Sequence, residues 1–387
     1  MQAFSFATTA QIQCEVGAAR RLGELCRARE AQRVLLVTDP GITKLGLLNE
    51  VLPGFAQAGV SIEIFDQVQA DPPEAIVLSA VAQAKALNAQ LIIGFGGGSS
   101  MDVAKLVALL AHPACSQDLA QIYGVGNARG QRLPLVLVPT TAGTGSEVTQ
   151  ISVITTGATS KMGVLSPLLL PDLAVLDAEL TLGLPPAVTA ATGIDAMVHA
   201  IEAYTSILKK NPLSDLLARE ALRLLSANID EAVHNGSNRE ARQAMLLGSC
   251  LAGQAFANAP CGGVHALAYP LGGHLHIPHG LANALMLPHV LGFNASVAAP
   301  WYAELAPLVV GERLKNGAVI EQAEQFICAL ADITQRSGLP TRLRDANVPE
   351  DLLPTFARDA MVQQRLLVNN PREMTENHAL AIYQAAY

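Results

Sequence analysis

The chain has 387 residues, which is long for a single hydrophobic core and fits two domains of ordinary size. Hydrophobic residues make up 50% and charged residues only 15%, a composition typical of a well-buried globular protein and not of a disordered one. The net charge of −8 and the lack of lysine- or arginine-rich runs argue against a nucleic-acid partner.

The N-terminal residues lack a basic segment followed by an apolar one, so they predict no signal peptide. No uninterrupted apolar run reaches the roughly eighteen residues of a membrane span. The six cysteines are scattered without a Cys-x-x-Cys pair, which predicts buried thiols and neither a disulfide framework nor a thiolate zinc site. We therefore expect a cytoplasmic protein without a membrane partner, in which Cys261, beside a histidine-rich segment, is the thiol to watch for oxidation.

From residue 30 to about residue 180, short β-branched runs alternate with helical stretches. The predicted strands are Arg33–Thr38, Ser61–Phe65, Leu91–Phe95, Leu133–Val138 and Leu173–Leu176. The predicted helices between them include Pro73–Leu87 and Met101–Ala111. This order predicts a mostly parallel sheet.

Asp39 and a glycine run each follow one of these strands. The run Gly96–Gly98 leads into a helix beginning near Met101, and uncrowded backbone N–H groups at the positive end of a helix dipole form a phosphate cradle. A carboxylate at Asp39 can accept from both hydroxyls of an adenine ribose and repel a 2′-phosphate, which favours NAD over NADP. In the Rossmann fingerprint the acid follows the glycines by about twenty residues. Asp39 therefore belongs to a dinucleotide site of different topology, or it is a turn residue before Pro40.

A hydroxyl-rich loop, Pro139–Glu147, follows the next apolar strand. Its side chains Thr140, Thr141, Thr144 and Ser146 can hydrogen-bond the sugars and phosphates of a nucleotide. An ordinary turn with a helix cap is the alternative.

Beyond residue 186 the strand pattern ends and long stretches of helical period follow. The predicted helices include Asp215–Ala227, Arg239–Ala257 and Ala318–Arg336. We therefore place a domain boundary near residues 180 to 186. The sequence predicts an α/β dinucleotide-binding domain with a mostly parallel sheet over residues 1–183 and an all-α domain over residues 184–387.

Histidines are concentrated in this second half, where residues 265–279 hold four of the nine. Asp195 and His199 are spaced at i and i+4 in a helical stretch, which places a carboxylate and an imidazole on one helix face. His265 and His279 can complete a site of three nitrogens and one oxygen, a set that suits Fe²⁺, Zn²⁺ or Mn²⁺. A polar helix contact or a solvated, pH-sensitive loop is the alternative. The apolar residues around the histidines favour metal binding, since buried imidazoles need partners.

Four motifs in this order together resemble the iron-containing (group III) alcohol dehydrogenases. They are Gly96–Asp102 (GGGSSMD), Pro139–Glu147 (PTTAGTGSE), Ala191–Glu202 (ATGIDAMVHAIE), and Val264–Gly273 (VHALAYPLGG) with Pro278–Gly280 (PHG), and the similarity extends to Leu367–Arg372 (LVNNPR). The resemblance implies an N-terminal domain that binds NAD, a helical domain that holds Fe²⁺ or Zn²⁺, and a homodimer. It also implies interconversion of a primary alcohol and its aldehyde by hydride transfer, with the metal making the alcohol more acidic.

The resemblance assigns roles residue by residue. The positions that match metal ligands are Asp195, His199, His265 and His279. The positions that match cofactor contacts are Asp39 as the NAD-selecting acid, Gly97, Gly98 and Ser99 on the pyrophosphate, Thr140, Thr141 and Thr144 along the nucleotide, and Lys161 near the nicotinamide ribose.

One departure from the family pattern lies within the site. Many members carry a second histidine four residues after the first, with a role in proton transfer, and this chain has Tyr269 there. Tyr269 and His274 are the candidates for proton transfer, with His276 or a water chain through a ribose hydroxyl as alternatives.

Other functions remain open on the same scaffold. They are a hydroxy-acid dehydrogenase of the 4-hydroxybutyrate type and a glycerol or diol dehydrogenase. A glycerol dehydrogenase or dehydroquinate synthase is expected to use fewer histidine ligands, and a maleylacetate reductase to carry adjacent histidines where this chain has Val264 and His265. The intact ligand set and glycine loop argue against a non-enzymatic metal- or nucleotide-binding regulator. Phe256 and Leu267 suit a short or medium primary alcohol, but no motif identifies the substrate.

Overall fold

The computed structural model describes residues 3–157 and 160–387. The chain forms two compact units. The first is Ala7–Leu182, and the second is Gly183–Tyr387 together with the start of the chain up to Phe6. The first unit is built on a sheet, and the second is built of helices.

A parallel sheet organises the first unit. The strands in the described residues are β1 (Gln11–Cys14), β2 (Arg33–Val37), β3 (Ser61–Phe65), β4 (Leu91–Gly96), β5 (Gly124–Val125), β6 (Leu135–Pro139), β7 (Ile151–Thr156), β8 (Ser160–Leu165) and β9 (Leu173–Leu176). Six of them form one sheet in the order β1-β9-β6-β4-β2-β3 with every neighbouring pair parallel. The antiparallel hairpin of β7 and β8 joins β5 in a second, three-stranded sheet. The predicted mostly parallel sheet is confirmed.

Helices cover both faces of the six-stranded sheet. They are α1 (Leu22–Arg27), α2 (Pro40–Lys44), α3 (Leu52–Ala58), α4 (Glu74–Leu87), α5 (Gly98–Leu110) and α6 (Leu119–Ile122). Leu35 and Val37 of β2 pack in a core with α4 and α5, whereas Val34 and Leu36 pack in a core with α1 and α3. Because successive strand residues face opposite sides, the sheet is buried on both faces, which explains the continuous apolar runs of its strands.

The sequence predicted five of the six strands of the parallel sheet but none of the three-stranded sheet. The strands β3 and β9 have the predicted bounds, and the helix after the glycine run begins at Gly98 instead of near Met101. The strands β1, β5, β7 and β8 were not predicted. The edge strand β1 is mostly exposed and its sequence is half polar, so it lacks the apolar run by which the buried strands were recognised.

The second unit consists of helices throughout its described residues. They are α7 (Pro186–Thr205), α8 (Pro212–His234), α9 (Arg239–Asn258), α10 (Gly263–Leu275), α11 (His279–Val310), α12 (Val319–Arg336), α13 (Leu353–Ala360), α14 (Gln364–Leu367) and α15 (Glu376–Ala386). The three helices predicted here are confirmed, and α8 extends beyond its predicted range at both ends. The helix α7 is buried over most of its length and contacts α8, α9 and α11.

Among the residues that the structure describes, one helix is long and apolar enough to cross a membrane. The segment His279–Arg313, which contains α11, meets that test by length and composition. However, 56% of its apolar window is buried inside the protein, and α11 contacts α7, α10 and α12. A core helix meets the same test, so the segment is only weak support for a membrane span.

Candidate metal centre and cofactor loops

Side chains from three helices meet at one point of the second unit. The helix α7 contributes Asp195 and His199 one turn apart, α10 contributes His265, and α11 begins at His279. Asp195, His199 and His265 are buried, whereas the His279 side chain is 44% exposed. The fold therefore brings together the four residues that the sequence proposed as metal ligands.

The donor atoms of these residues are spaced for one cation. Nε2 of His265 is 3.0 Å from Nε2 of His199 and 3.9 Å from Oδ1 of Asp195. Nε2 of His279 is 3.7 Å from the same oxygen. Ligand atoms of a tetrahedral metal with bonds of about 2.1 Å are about 3.4 Å apart. The donor atoms of Asp195, His265 and His279 all lie within 4.8 Å of one another, and His199 adjoins this group through His265. Imidazole nitrogens and a carboxylate oxygen so grouped suit a divalent transition metal.

A glycine allows α11 to begin against α7. A Cβ on Gly280 would lie 2.3 Å from the carbonyl oxygen of Ala191 in α7, which is far closer than such atoms approach. The first turn of α11 can therefore touch the α7 backbone, and this contact holds His279 beside Asp195. The motif Pro278–Gly280 thus contains both a proposed metal ligand, His279, and a glycine that close contact between the two helices requires.

Asn283, one turn after His279, is a neighbour that the sequence analysis missed. Its Nδ2 lies 2.5 Å from Oδ1 of Asp195, 3.2 Å from Nε2 of His279 and 3.3 Å from Nε2 of His265. Two amide protons cannot satisfy three acceptors, and the buried Oδ1 of Asn283 has no hydrogen-bond partner among the described residues. Protein groups alone leave this cluster under-satisfied, and a cation bonded to the donors would relieve it.

Glu202 was also missed, although it lies in one of the quoted motifs. Its Oε2 accepts a hydrogen bond from Nδ1 of His265 at 2.6 Å, and its Oε1 accepts one from the Val264 backbone N–H at 2.7 Å. A carboxylate on Nδ1 fixes the tautomer that leaves the Nε2 lone pair for a metal. Glu202 follows His199 by three residues, so helical spacing placed it on the same face of α7.

Electrostatics in the centre suit a bound cation. Burial opposes ionisation of Asp195, but the imidazoles around it, His199 foremost, hold its pKa below the usual range. Burial also disfavours a charged His265, yet Cys261 and Glu202 raise the pKa of that imidazole well above its ordinary value. Burial raises the pKa of the Cys261 thiol. Two buried carboxyl groups beside the imidazoles therefore favour positive charge at this point.

The two candidates for proton transfer have different surroundings. The Tyr269 ring lies 5.9 Å from the His279 ring, centroid to centroid. Nε2 of His274 lies 2.7 Å from Oδ2 of Asp359, and both side chains are about 40% exposed. Tyr269 is thus placed against a residue of the donor set, and its hydroxyl accepts a hydrogen bond from Nη2 of Arg365 at 3.3 Å. His274 is engaged by a carboxylate.

In the first unit, the predicted cofactor residues other than Lys161 follow three adjacent strands. Asp39 follows β2, Gly97 follows β4 and Thr140 follows β6, and these strands are neighbours in the parallel sheet. Parallel α/β sheets bind ligands at the carboxyl ends of their strands. The structure therefore groups these segments at one edge of the sheet, here called the cofactor edge.

The glycine run lies directly against the hydroxyl loop. A Cβ on Gly98 would be 3.0 Å from Cγ2 of Thr144, and one on Gly97 would be 3.8 Å from Oγ1 of Thr141. Gly97 is the N-cap of α5, and Ser99 lies in the first turn of that helix. Main-chain N–H groups of a helix start and threonine hydroxyls thus share one small region, as phosphate binding requires.

Ser146, the remaining hydroxyl of the loop, is tied to α5. Its Oγ donates to Oδ1 of Asp102 at 2.7 Å and accepts from Nζ of Lys105 at 2.8 Å. Lys105 is fully buried, which lowers its pKa, and it also donates to Oγ1 of Thr149 and the carbonyl of Ile151. These bonds hold the end of the hydroxyl loop to α5, so Ser146 stabilises the conformation of the loop.

The structure bears out one of the two interpretations of Asp39, that of a turn residue, and its part in a dinucleotide site stays a prediction. Its Oδ1 caps α2 by accepting from the backbone N–H groups of Gly41 at 2.9 Å and Ile42 at 3.2 Å. Its Oδ2 lies 3.5 Å from Oγ of Ser100, next to the glycine run. Asp39 is a turn residue whose second oxygen points to the cofactor edge.

Lys161 lies on β8, in the three-stranded sheet. Its Nζ is 2.6 Å from Oδ1 of Asp71, and the two side chains are 40% and 55% exposed. Exposed ion pairs contribute about 0–1 kcal/mol. A ligand can therefore displace Asp71 at little cost.

Comparison with protein-family models places both halves of the chain in one family. Residues 9–178 match the model described as iron-containing alcohol dehydrogenase, and residues 189–387 match the C-terminal model of the Fe-containing alcohol dehydrogenase family. The chain is 42% identical to long-chain-alcohol dehydrogenase 1 of Geobacillus thermodenitrificans (strain NG80-2), over 92% of this chain and 90% of that protein.

Solved structures agree with these matches. The chain has a TM-score of 0.95 and 36% identity to a 1,3-propanediol oxidoreductase, with 100% of each chain covered. It has a TM-score of 0.89 and 29% identity to the NAD⁺ complex of sulfoacetaldehyde reductase from Bifidobacterium kashiwanohense, covering 100% of this chain and 99% of that one. With both family models matched along its length, the chain is an oxidoreductase of the iron-containing alcohol dehydrogenase family.

Proposed function

We propose that this protein interconverts a primary alcohol and its aldehyde with NAD at a divalent metal centre, with Fe²⁺ or Zn²⁺ as the metal. The convergence of Asp195, His199, His265 and His279 carries the proposal, because their donor atoms are spaced for one cation. A cation held there supplies Lewis acidity that makes a hydroxyl more acidic and polarises a carbonyl.

The residues of the centre have separable tasks in this proposal. Asp195 and the three histidines hold the cation, and Glu202 orients His265 through Nδ1. We assign proton transfer to Tyr269, which lies against His279, with His274 as the second candidate. Residues 184–387 thus supply the metal-binding catalytic domain.

Residues 1–183 supply NAD binding. Gly97, Gly98 and Ser99 offer backbone N–H groups to the pyrophosphate, while Thr140, Thr141 and Thr144 line the nucleotide. Asp39 selects NAD, since its carboxylate opposes a 2′-phosphate, and Lys161 exchanges Asp71 for the nicotinamide ribose. The NAD⁺ complex of the related sulfoacetaldehyde reductase supports this choice of cofactor.

A primary alcohol is the proposed substrate, and a diol is the second candidate. Phe256 stacks on His199 with ring centroids 4.3 Å apart, so an apolar wall adjoins the centre and suits an alkyl chain. A relative at 42% identity is named a long-chain-alcohol dehydrogenase, and a structural neighbour at 36% identity is a 1,3-propanediol oxidoreductase. The second comparison favours the diol as the alternative.

A substrate panel tests the proposal. The metal-free protein is reconstituted with Fe²⁺ or Zn²⁺, and NAD⁺ or NADP⁺ reduction is followed with primary alcohols of increasing length, 1,3-propanediol, glycerol and 4-hydroxybutyrate. We expect the highest kcat/KM for a primary alcohol with NAD⁺ and no turnover without metal. Equal activity in the metal-free protein, or turnover of the hydroxy acid alone, contradicts the proposal.

We also propose that the enzyme is a cytoplasmic homodimer. The family resemblance supports the dimer. None of the six cysteines, all of which lie in the described residues, forms a disulfide, which suits a reducing compartment. Light scattering on the eluting protein tests the dimer by its mass, and a monomer mass contradicts it. Cell fractionation tests the location.

A further inference from the structure

A cysteine lies beside the imidazoles of the metal centre. Cys261 is 5% exposed, and its Sγ and one ring nitrogen each of His199 and His265 all lie within 4.8 Å of one another. The same is true of the donor atoms of Asp195, His265 and His279. The two donor groups therefore share His265, and one offers a carboxylate oxygen where the other offers sulfur.

The turn that carries Cys261 is held in place by the C-terminal part of the same unit. Nδ2 of Asn369 donates to the carbonyl of Cys261 at 3.0 Å, and the backbone N–H of Gly263 donates to Oδ1 of Asn370 at 3.2 Å. A Cβ on Gly262 would lie 3.2 Å from Cα of Asn370, so the two segments are in close contact. The sulfur is fixed beside the imidazoles by this packing and does not belong to a free loop.

We propose that Cys261 is a further ligand of this metal centre. Its sulfur binds Zn²⁺, Cd²⁺ or Co²⁺ together with the ring nitrogens of His199 and His265. The inference rests on the proposed metal function of the site. Thiolate sulfur is a preferred ligand of soft and borderline cations, whereas Mn²⁺ prefers oxygen. The donor group that contains Asp195 offers a carboxylate oxygen, which suits a harder cation. Cys261 shifts the metal preference of the centre toward softer cations.

The binding step is an exchange of a proton for a metal at sulfur. The metal–sulfur bond forms, the S–H bond breaks and the proton leaves to solvent, with no change of oxidation state. The thiolate also neutralises one unit of the cation's charge in a buried site, where an uncompensated charge is costly. Removing the sulfur should therefore weaken Zn²⁺ binding more than Mn²⁺ binding.

Cobalt absorption tests the thiol directly and without any assay of turnover. The metal-free protein, with exposed Cys14 and Cys328 replaced by serine, is titrated with Co²⁺ alone. We expect visible cobalt bands together with a near-ultraviolet thiolate-to-cobalt charge-transfer band. Cys261→Ser in this background should lose the charge-transfer band and keep the visible bands. Cys250→Ser, which changes another buried thiol of the same unit, is the matched control and should keep both.

A competition titration provides a second readout. In Cys261→Ala, the ratio of Zn²⁺ to Mn²⁺ affinity should fall roughly tenfold, the lower end of what loss of a supporting group costs a metal site. Visible cobalt bands without a charge-transfer band, or a charge-transfer band that survives in Cys261→Ser, would overturn the ligand role of the thiol and leave the metal centre standing. A protein that binds no Co²⁺ refutes both.

Discussion

The metal centre and the cofactor edge are built in opposite ways. At the metal centre, buried helices deliver side chains whose donor atoms converge on one point. At the cofactor edge, the ends of the strands lead into a glycine run and a loop of short hydroxyl side chains. Main-chain groups, uncovered because the glycines have no side chains, therefore form much of the site. A site made of side-chain atoms should lose its metal when one donor is removed. A site made of backbone groups should show only gradual changes in cofactor binding when its charge or shape is altered.

The largest effect is expected from removing a shared donor. His265→Ala deletes the imidazole common to both donor groups, so metal content and turnover should be lost together while the circular dichroism spectrum is retained. His234→Ala, an exposed histidine of α8, is the control and should keep both. Full activity in a metal-free His265→Ala protein would remove the metal role, and His279→Ala should repeat the result.

Removing the carboxylate behind His265 should have the next largest effect. Glu202→Gln keeps an oxygen for the Val264 backbone N–H, but it can place an amide N–H against Nδ1 of His265. Loss of such a partner typically costs 10–100-fold in metal affinity. Metal titration with a competing chelator measures the change, and an unchanged affinity would show that the imidazole needs no orientation from Glu202.

Substitution of Gly280 tests whether the metal centre also depends on the close contact between the backbones of α11 and α7. Gly280→Ala forces a methyl group against the Ala191 carbonyl, so the free energy of unfolding should fall by about 1–3 kcal/mol and metal affinity should fall with it. The control is Gly292→Ala in the same helix, where a Cβ meets nothing within 4 Å. That variant should be neutral or gain up to about 1 kcal/mol. Equal stability of the two variants would contradict the close approach.

Asp39 tests the graded response of the cofactor edge. Asp39→Asn keeps a capping oxygen for α2 and removes the charge that opposes a 2′-phosphate. The interaction of two unit charges 4 Å apart is worth about 1 kcal/mol in water, so the ratio of kcat/KM with NADP⁺ to that with NAD⁺ should rise roughly fivefold. Asp39→Gly should raise it as well. A constant ratio in both variants would exclude the ribose assignment.

The smallest effect is expected at the position that departs from the family pattern. Tyr269→Phe keeps the ring against His279 and removes the hydroxyl, so metal content should be unchanged while the pH profile of kcat changes. Parallel measurement of His274→Ala ranks the second candidate. Superimposable pH profiles for Tyr269→Phe and the unaltered protein would take the phenol out of the proton path.

The sequence predicted those parts of the molecule that rest on local spacing. Asp195 and His199 were found because four residues make about one helix turn, and β9 because a buried parallel strand is apolar throughout. The half-exposed strand β3 was found from its β-branched residues Ile62 and Ile64. The Glu202 and Asn283 contacts escaped because each joins residues from different helices. Cys261 was singled out for oxidation but not as a donor, because the chain has no Cys-x-x-Cys pair and only the folded turn reveals that this thiol lies beside two imidazoles.

The exposed cysteines mark another limit of the sequence. The expectation that most thiols are buried is wrong, because only Cys26, Cys250 and Cys261 are buried. Cys115 is partly exposed, and Cys14 and Cys328 are exposed. Cys14 lies on the edge strand β1, which was not predicted, and Cys328 lies on α12. Burial of a single small side chain depends on which side of an element it occupies, and short or amphipathic elements leave that side undetermined when read alone.

The two asparagines that hold the Cys261–Gly263 turn have a consequence for biosynthesis. They bond to residues 107 and 108 positions earlier in the chain, so the turn cannot take its final form until residue 370 has been made. The helices that carry Asp195, His199 and His265 are synthesised well before that moment. Metal acquisition with the full donor set is therefore expected to follow synthesis of residue 370, and a protein shortened before residue 369 should mature without a properly formed centre.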